Sequence, residues 1–257
     1  MKQFIIENEP DKDGFIHLSR KDYHYLVNVR RLAAGECFPA LSADGEEVLI
    51  RIVSISGGAL TGKLESLSPR GNNNQAIPPV ILFQALPKAD KMDLIVRQAA
   101  EGAVAQIVPF AAEFSAGSGN TGGQKFSRWE KIIKEARQQS GSRVATCLHR
   151  PLSVTELLEY WKKLQSSGAL GLLFHHEKGL EMNSLHGYLN NDPKNVVLAI
   201  GPEGGFSEKE VSLFIENDFK PVTIGDTVLR TETAALYCTA AVRTLLLERN
   251  SWELKQT

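Results

Sequence analysis

Three ionisable residues stand inside two short glycine-containing runs. Glu203 lies in Ile200-Gly201-Pro202-Glu203-Gly204-Gly205-Phe206-Ser207, and Arg230 and Glu232 lie in Ile224-Gly225-Asp226-Thr227-Val228-Leu229-Arg230-Thr231-Glu232-Thr233-Ala234-Ala235. A carboxylate can take a proton, and a guanidinium can hold an anion or polarise a carbonyl. Gly204 and Gly205 can adopt positive φ and leave main-chain N–H and C=O groups uncovered, so a ligand can approach the backbone closely. Val228-Leu229 is an apolar pair that can flank a flat heterocycle. Either loop alone could be a tight connection that binds nothing. Two of them, each between a strand and a helix, argue for a site, because ligands of open α/β sheets bind at the carboxyl ends of strands.

The elements that must position these residues follow from patterning. Val196 to Ile200 is a nearly continuous aliphatic run and predicts a buried strand. Ser207 and Glu210 form a Ser-x-x-Glu capping box ahead of Val211, Phe214 and Ile215. Pro221 to Ile224 predicts a short strand. From Thr231 a long helix should carry Ala234, Ala235, Cys238, Ala241, Val242, Leu245 and Leu246 on one face. Upstream, Val80 to Leu86, Ala105 to Phe110, Val144 to Leu148 and Leu170 to Phe174 read as strands. They alternate with helices over Asp90 to Gly102, with Asp90 as N-cap, over Arg128 to Ser140, and after Ser153. Alternation of this kind marks a parallel sheet. The loop after Leu173-Phe174, beginning His175-His176-Glu177, would form a third wall of the site. Residues 14 to 67 are β-rich, with strands over Cys37 to Leu41, Val48 to Ile55 and Ala59 to Leu67. The expected organisation is an N-terminal β domain over 1–68, a linker over 69–79 and an α/β domain over 80–257.

The two runs together resemble the SPOUT class of S-adenosylmethionine-dependent RNA methyltransferases, and within it the bacterial enzymes that methylate N3 of a uridine in 16S ribosomal RNA. His24 to Leu32 with Gly35-Glu36, Lys88-Ala89-Asp90-Lys91-Met92-Asp93-Leu94-Ile95 and Glu135-Ala136-Arg137-Gln138-Gln139-Ser140 fit the same family. The resemblance covers nearly the whole chain. It implies a C-terminal α/β domain with a deep trefoil knot, one of the rare exceptions to the rule against threaded connections. It also implies an N-terminal PUA-like β-barrel that helps to hold RNA, and a homodimer. The donor would be bound largely through backbone groups by Leu173, Phe174, His175, Ile200, Gly201, Pro202, Gly204, Gly205, Ile224, Gly225, Val228, Leu229, Thr231 and Ala234. Arg20, Arg30, Arg31 and Arg137 are the residues expected to meet RNA.

Methyl transfer from a sulfonium needs an in-line nucleophile and a positioned leaving group. Uridine N3 carries a proton, so a cation near the uracil oxygens would help, and Arg230 is the choice for that role. Glu203 and Glu232 are candidate bases, although Glu232 also suits the first turn of a helix as a plain acid there. Arg230 could instead pair with Glu203 or Glu232 and only hold the loop. The sequence departs from the family pattern at Gln98, at Glu101-Gly102-Ala103, at Glu113-Phe114-Ser115 and at Thr227. These positions leave a second reading open, an RNA-binding knotted dimer that keeps the donor pocket but has lost or changed its methylation target.

Composition bounds the rest. The 257 residues are 42 % hydrophobic, enough for packed cores, and carry a formal net charge of -1, so any RNA contact must come from local basic patches. No run has the length of a transmembrane span, and Met1 to Pro10 lacks a signal-peptide core, which makes a cytoplasmic protein the simple expectation. Cys37, Cys147 and Cys238 are isolated, and His175-His176 lacks further ligands, so neither a disulfide framework nor a metal site is expected. Gly117-Ser118-Gly119-Asn120-Thr121-Gly122-Gly123 contains G-x-G-x-x-G but does not directly follow its strand and has no downstream acid for a ribose, and it reads as a loop.

Overall fold

The computed structural model of the chain describes residues 4–6, 9–18, 20–67, 77–115, 123–176 and 183–253. Most of the expected linker, the glycine run before Gly123, Glu177 and the side chain of Arg20 lie outside the described residues. The chain divides into two compact units, residues 1–74 with 137–145, and residues 75–136 with 146–257.

In the first unit, the described strands are β1 (Phe4–Ile5), β2 (Phe15–Leu18), β3 (Cys37–Leu41), β4 (Glu47–Ser56) and β5 (Ala59–Leu67), in the sheet order β1-β3-β4-β5-β2. The β1–β3 pair is parallel and the others are antiparallel. Val48, Ile50 and Ile52 are buried on alternate positions of β4, as the period of two requires, and pack with Ile16, Leu26, Phe38 and Leu60. A short helix α1 (Arg20–Tyr23) runs into a π-helical turn over His24–Val29 that contributes Leu26 to this core. The assignment of 137–145 to this unit was not foreseen. Its basis is local: the Arg143 guanidinium pairs with Glu47, and a Cβ on Gly45 would collide with the Arg143 carbonyl.

The second unit is α/β, as expected. Its elements are β6 (Val80–Ala85), α2 (Lys91–Glu101), β7 (Gln106–Ala111), α3 (Gly123–Ser140), whose last turn falls in the first unit, β8 (Cys147–Leu148), β9 (Leu152–Ser153), α4 (Val154–Ser166), β10 (Ala169–Phe174), α5 (Leu185–Leu189), β11 (Asn195–Ile200), α6 (Glu208–Glu216), β12 (Lys220–Val222) and α7 (Thr231–Glu253). All strand pairs are parallel, in the order β12-β10-β11-β6-β7-β8, with β9 also pairing β7. Strand alternation feeds two cores. Val80, Leu82, Val196 and Leu198 face α2, α3 and α7, whereas Ile81, Phe83, Val197 and Ala199 face Trp161 of α4 and Phe214 of α6. Among the described residues no helix is long and apolar enough to cross a membrane.

Several expected boundaries move. Asp90 is at the N-cap of α2, but its side chain makes no capping bond. Helix α3 begins at Gly123, five residues before the expected Arg128, because Gln124, Lys125 and Ser127 are exposed and only Phe126 signals the core in that turn. β12 stops at Val222, since the Thr223 hydroxyl turns to donate to the His175 carbonyl at 3.0 Å. Ser153 and Ser207 both form complete capping boxes, with Glu156 and Glu210.

Candidate active site

The register of the parallel sheet places the ends of four strands in one row. Val222 lies beside Phe174, Phe174 beside Ile200, and Ile200 beside Gln84. The loops leaving these strands therefore emerge side by side at the carboxyl edge, the position at which an open α/β sheet can hold a ligand. His175 N–H donates to the Val222 carbonyl at 3.2 Å, tying the third wall to the end of β12.

The first glycine loop is a compact turn. Gly205 has φ of 73° and its N–H donates to the Pro202 carbonyl at 3.0 Å. A Cβ on Gly201 would come within 3.3 Å of the Gly205 backbone, and one on Gly204 within 2.9 Å of Phe114 Cβ. Side chains are thus excluded where backbone groups must stay open. Glu210, only 6 % exposed, completes the support: it caps α6 and also accepts from Glu113 N–H at 2.8 Å.

The second loop leaves Val228 72 % exposed, Leu229 half-buried and Arg230 exposed, with Gly225 at φ 72°. Arg230 O accepts the first helical bond of α7 from Ala234 N–H at 2.8 Å. Thr231 is buried at 3 % exposure, and its hydroxyl lies 2.6 Å from the Gly201 carbonyl. That single bond joins the two loops directly. Leu173, Phe174, His175, Ile200 to Gly205, Ile224, Gly225, Val228 to Thr231 and Ala234 all flank this carboxyl edge in the second unit.

Glu203 and Glu232 do not pair with Arg230. Lys91 Nζ stands 3.0 Å from Glu203 Oε1 and 3.3 Å from Glu232 Oε2. Glu203 also accepts from Lys88 N–H at 3.0 and 3.2 Å. Burial pushes the Glu203 pKa up, but the Lys91 hydrogen bond, the backbone donors and the Lys91 charge together outweigh it, and the carboxyl is held below its ordinary value. The Glu203 hydrogen bond in turn leads the contributions that raise Lys91. A carboxylate stabilised in its charged form is a weak proton acceptor. Among the described residues the Arg230 guanidinium makes no hydrogen bond or ion pair, so it is available to a ligand.

The basic residues expected to meet RNA separate. Arg30 is half-buried and Arg31 exposed, at a left-handed φ of 58°. Arg137 is only 8 % exposed, and its Nη1 donates to the Ala43 carbonyl at 3.4 Å. Three residues at the edge had been given no role. Lys91 was visible only as part of a family-like run; Phe114 shows its importance through its contact with Gly204; Gln84 carried a signal, a lone amide in the apolar strand Val80–Ala85.

Comparisons with known proteins agree with this geometry. Residues 73–243 match a family model described as an RNA methyltransferase domain. The chain is 29 % identical to the ribosomal RNA small subunit methyltransferase E of Synechocystis sp. over 95 % of its own length and 78 % of the relative's. It is 28 % identical to the protein of the same name from Bacillus subtilis, over 94 % and 96 %. Its fold resembles that of the Neisseria gonorrhoeae ribosomal RNA small subunit methyltransferase E bound to S-adenosyl methionine, with a TM-score of 0.78 at 23 % identity, covering 95 % of this chain and 98 % of that one.

Proposed function

The chain belongs to the RNA methyltransferase family, and from that premise we propose that it transfers a methyl group from S-adenosylmethionine to N3 of a uridine in 16S ribosomal RNA of the small ribosomal subunit. The observation that carries the proposal is the Thr231–Gly201 bond, which brings the two glycine loops together at the carboxyl edge of the sheet. The loops fit a ligand held through its contacts with main chain, because Gly204 has no room for a Cβ and one on Gly201 would be tight against the Gly205 backbone. The backbone of 201–205 and 224–229, with Val228 and Leu229 against an adenine and His175 on the third side, would hold the donor. The donor supplies an electrophilic methyl on a positively charged sulfur.

The chain's own residues then have distinct tasks. Arg230 stabilises negative charge on the uracil oxygens, which favours the N3 anion. Lys91 helps to hold the Glu203 carboxyl below its ordinary value, which makes Glu203 better at shaping the loop than at taking the N3 proton, and it bridges Glu203 to Glu232. Arg20, Arg30 and Arg31 contribute to RNA attraction from a PUA-like first domain, and the second domain carries the trefoil knot. A domain division at the 69–79 linker belongs to the same reading.

The protein acts as a homodimer in the cytoplasm. Ala235 and Cys238, on the small-residue face of α7, are each 3 % exposed within the chain, and burial pushes the Cys238 thiol up to about 12. The face left open on α7 is the stripe Leu236, Tyr237, Ala240, Thr244 and Leu247, at helical spacing. It is the proposed contact.

One observation favours the reading in which the target has changed. Phe114, 47 % exposed, stands beside Gly204 and is one of the positions that depart from the family pattern. Isothermal calorimetry with S-adenosylhomocysteine tests what both readings share, with one site per chain expected. Absence of binding would remove both.

A further inference from the structure

Gln84 is the one polar side chain of β6 and is fully buried. Its Nε2 lies 2.9 Å from the Ala85 carbonyl and 3.0 Å from Thr231 Oγ1. A carbonyl can only accept, so the amide must turn its nitrogen toward Ala85, and Thr231 Oγ1 becomes an acceptor. The Thr231 proton is then directed to the Gly201 carbonyl at 2.6 Å. The direction of the whole chain of bonds is thereby determined, from the end of β6 through the start of α7 to the first glycine loop. Gln84 Oε1 is buried and has no hydrogen-bond partner among the described residues. An unmet buried acceptor is destabilising and offsets part of what the two Nε2 bonds contribute, so a flexible apolar residue of similar volume should cost the fold little.

We infer that Gln84 and Thr231 are positioning residues of the donor site: their relay holds the Gly201 carbonyl and the first turn of α7 in one frame, so that both glycine loops meet the ligand already ordered. This rests on the reading of these loops as the S-adenosylmethionine site. Both side chains are buried and act through the backbone they hold. Without the relay, the ordering of the loops has to accompany binding, and affinity falls.

The test uses the full chain with Gln84→Met, Thr231→Val, Thr231→Ser and the Gln84→Met/Thr231→Val double variant. Affinity for S-adenosylhomocysteine and melting temperature are measured on each. Gln84→Met should melt close to the wild-type temperature yet bind about ten-fold more weakly, the loss typical of one hydrogen bond. Thr231→Val should bind more weakly, Thr231→Ser should restore affinity because its hydroxyl can make both bonds, and the double variant should be no worse than Thr231→Val, since the bonds act as one unit. If Gln84→Met fails to fold, the valine and serine variants at Thr231 carry the test. Wild-type affinity in the variants, or losses that follow melting temperature with no rescue by serine, would overturn the inference alone. Failure of the wild type to bind would overturn the donor-site reading, and the inference with it.

Discussion

Lys91 Nζ lies 3.0 Å from Glu203 Oε1, so the first turn of α2 is tied to the glycine loop that follows β11. The two side chains are 30 % and 22 % exposed, and a pair so placed is a modest stabiliser that water partly screens. Its importance is that it helps to hold the Glu203 carboxyl below its ordinary value.

The pair should have a defined pH signature. Glu203 is depressed, so its contribution is present above the ordinary carboxylate pKa and is lost as pH falls through the depressed value; Lys91 is raised, so its contribution is present below the ordinary lysine pKa and is lost as pH rises through the raised value. The melting-temperature difference between wild type and Lys91→Met should be widest near neutrality and narrow at both extremes. A difference that stays constant from acid to alkali would show that the pair does not act through charge.

Arg230 separates catalysis from binding. With Glu203 and Glu232 occupied by Lys91, Arg230→Ala should leave affinity for S-adenosylhomocysteine and melting temperature near wild type and slow single-turnover methyl transfer by roughly a hundred-fold or more. Arg230→Lys should recover little, because a point charge does not reproduce a planar fork. Unchanged rate and affinity in Arg230→Ala would remove Arg230 from the reaction.

Gly204 has no room for a methyl group. Gly204→Ala would place a Cβ 2.9 Å from Phe114 Cβ and should destabilise by about 1–3 kcal/mol while weakening donor binding. Phe114→Ala should not relieve this, since its Cβ remains; Phe114→Gly should. Equal rescue by both, measured by chemical denaturation and calorimetry, would mean that the ring and not the Cβ sets the contact.

The exposed stripe of α7 predicts the oligomer. Leu236 and Tyr237 are 42 % and 53 % exposed in the single chain. Light scattering should give a dimer mass for the wild type at micromolar concentration and a monomer for Leu236→Glu/Tyr237→Glu. A wild-type monomer would contradict the dimer itself, and a dimer that survives the double substitution would place its interface elsewhere.

Much of the second unit was legible because its signals are local. Glycine loops, two capping boxes and uninterrupted apolar strands each follow from residues close in sequence, and Val196 to Ile200, Ser207-Glu210 and the start of α7 at Thr231 were found where expected. What stayed hidden depends on distant partners. Lys91 meets Glu203 and Glu232 across more than a hundred residues, and Gln84 meets Thr231 across 147. The small face of α7 has the same limit. Small residues allow close packing, but the pattern does not say whether the neighbour is another chain or, as for Ala235 and Cys238, the protein's own core.

The most direct measurement is transfer of an isotopically labelled methyl group from S-adenosylmethionine to small ribosomal subunits purified from a strain lacking the gene, read by mass spectrometry of the released nucleosides. Labelled 3-methyluridine, formed by the wild type and nearly abolished in Arg230→Ala, is the expected result. Label on another nucleoside would contradict the uridine-N3 target, and no label on RNA from a protein that binds S-adenosylhomocysteine would contradict the methyltransferase activity itself.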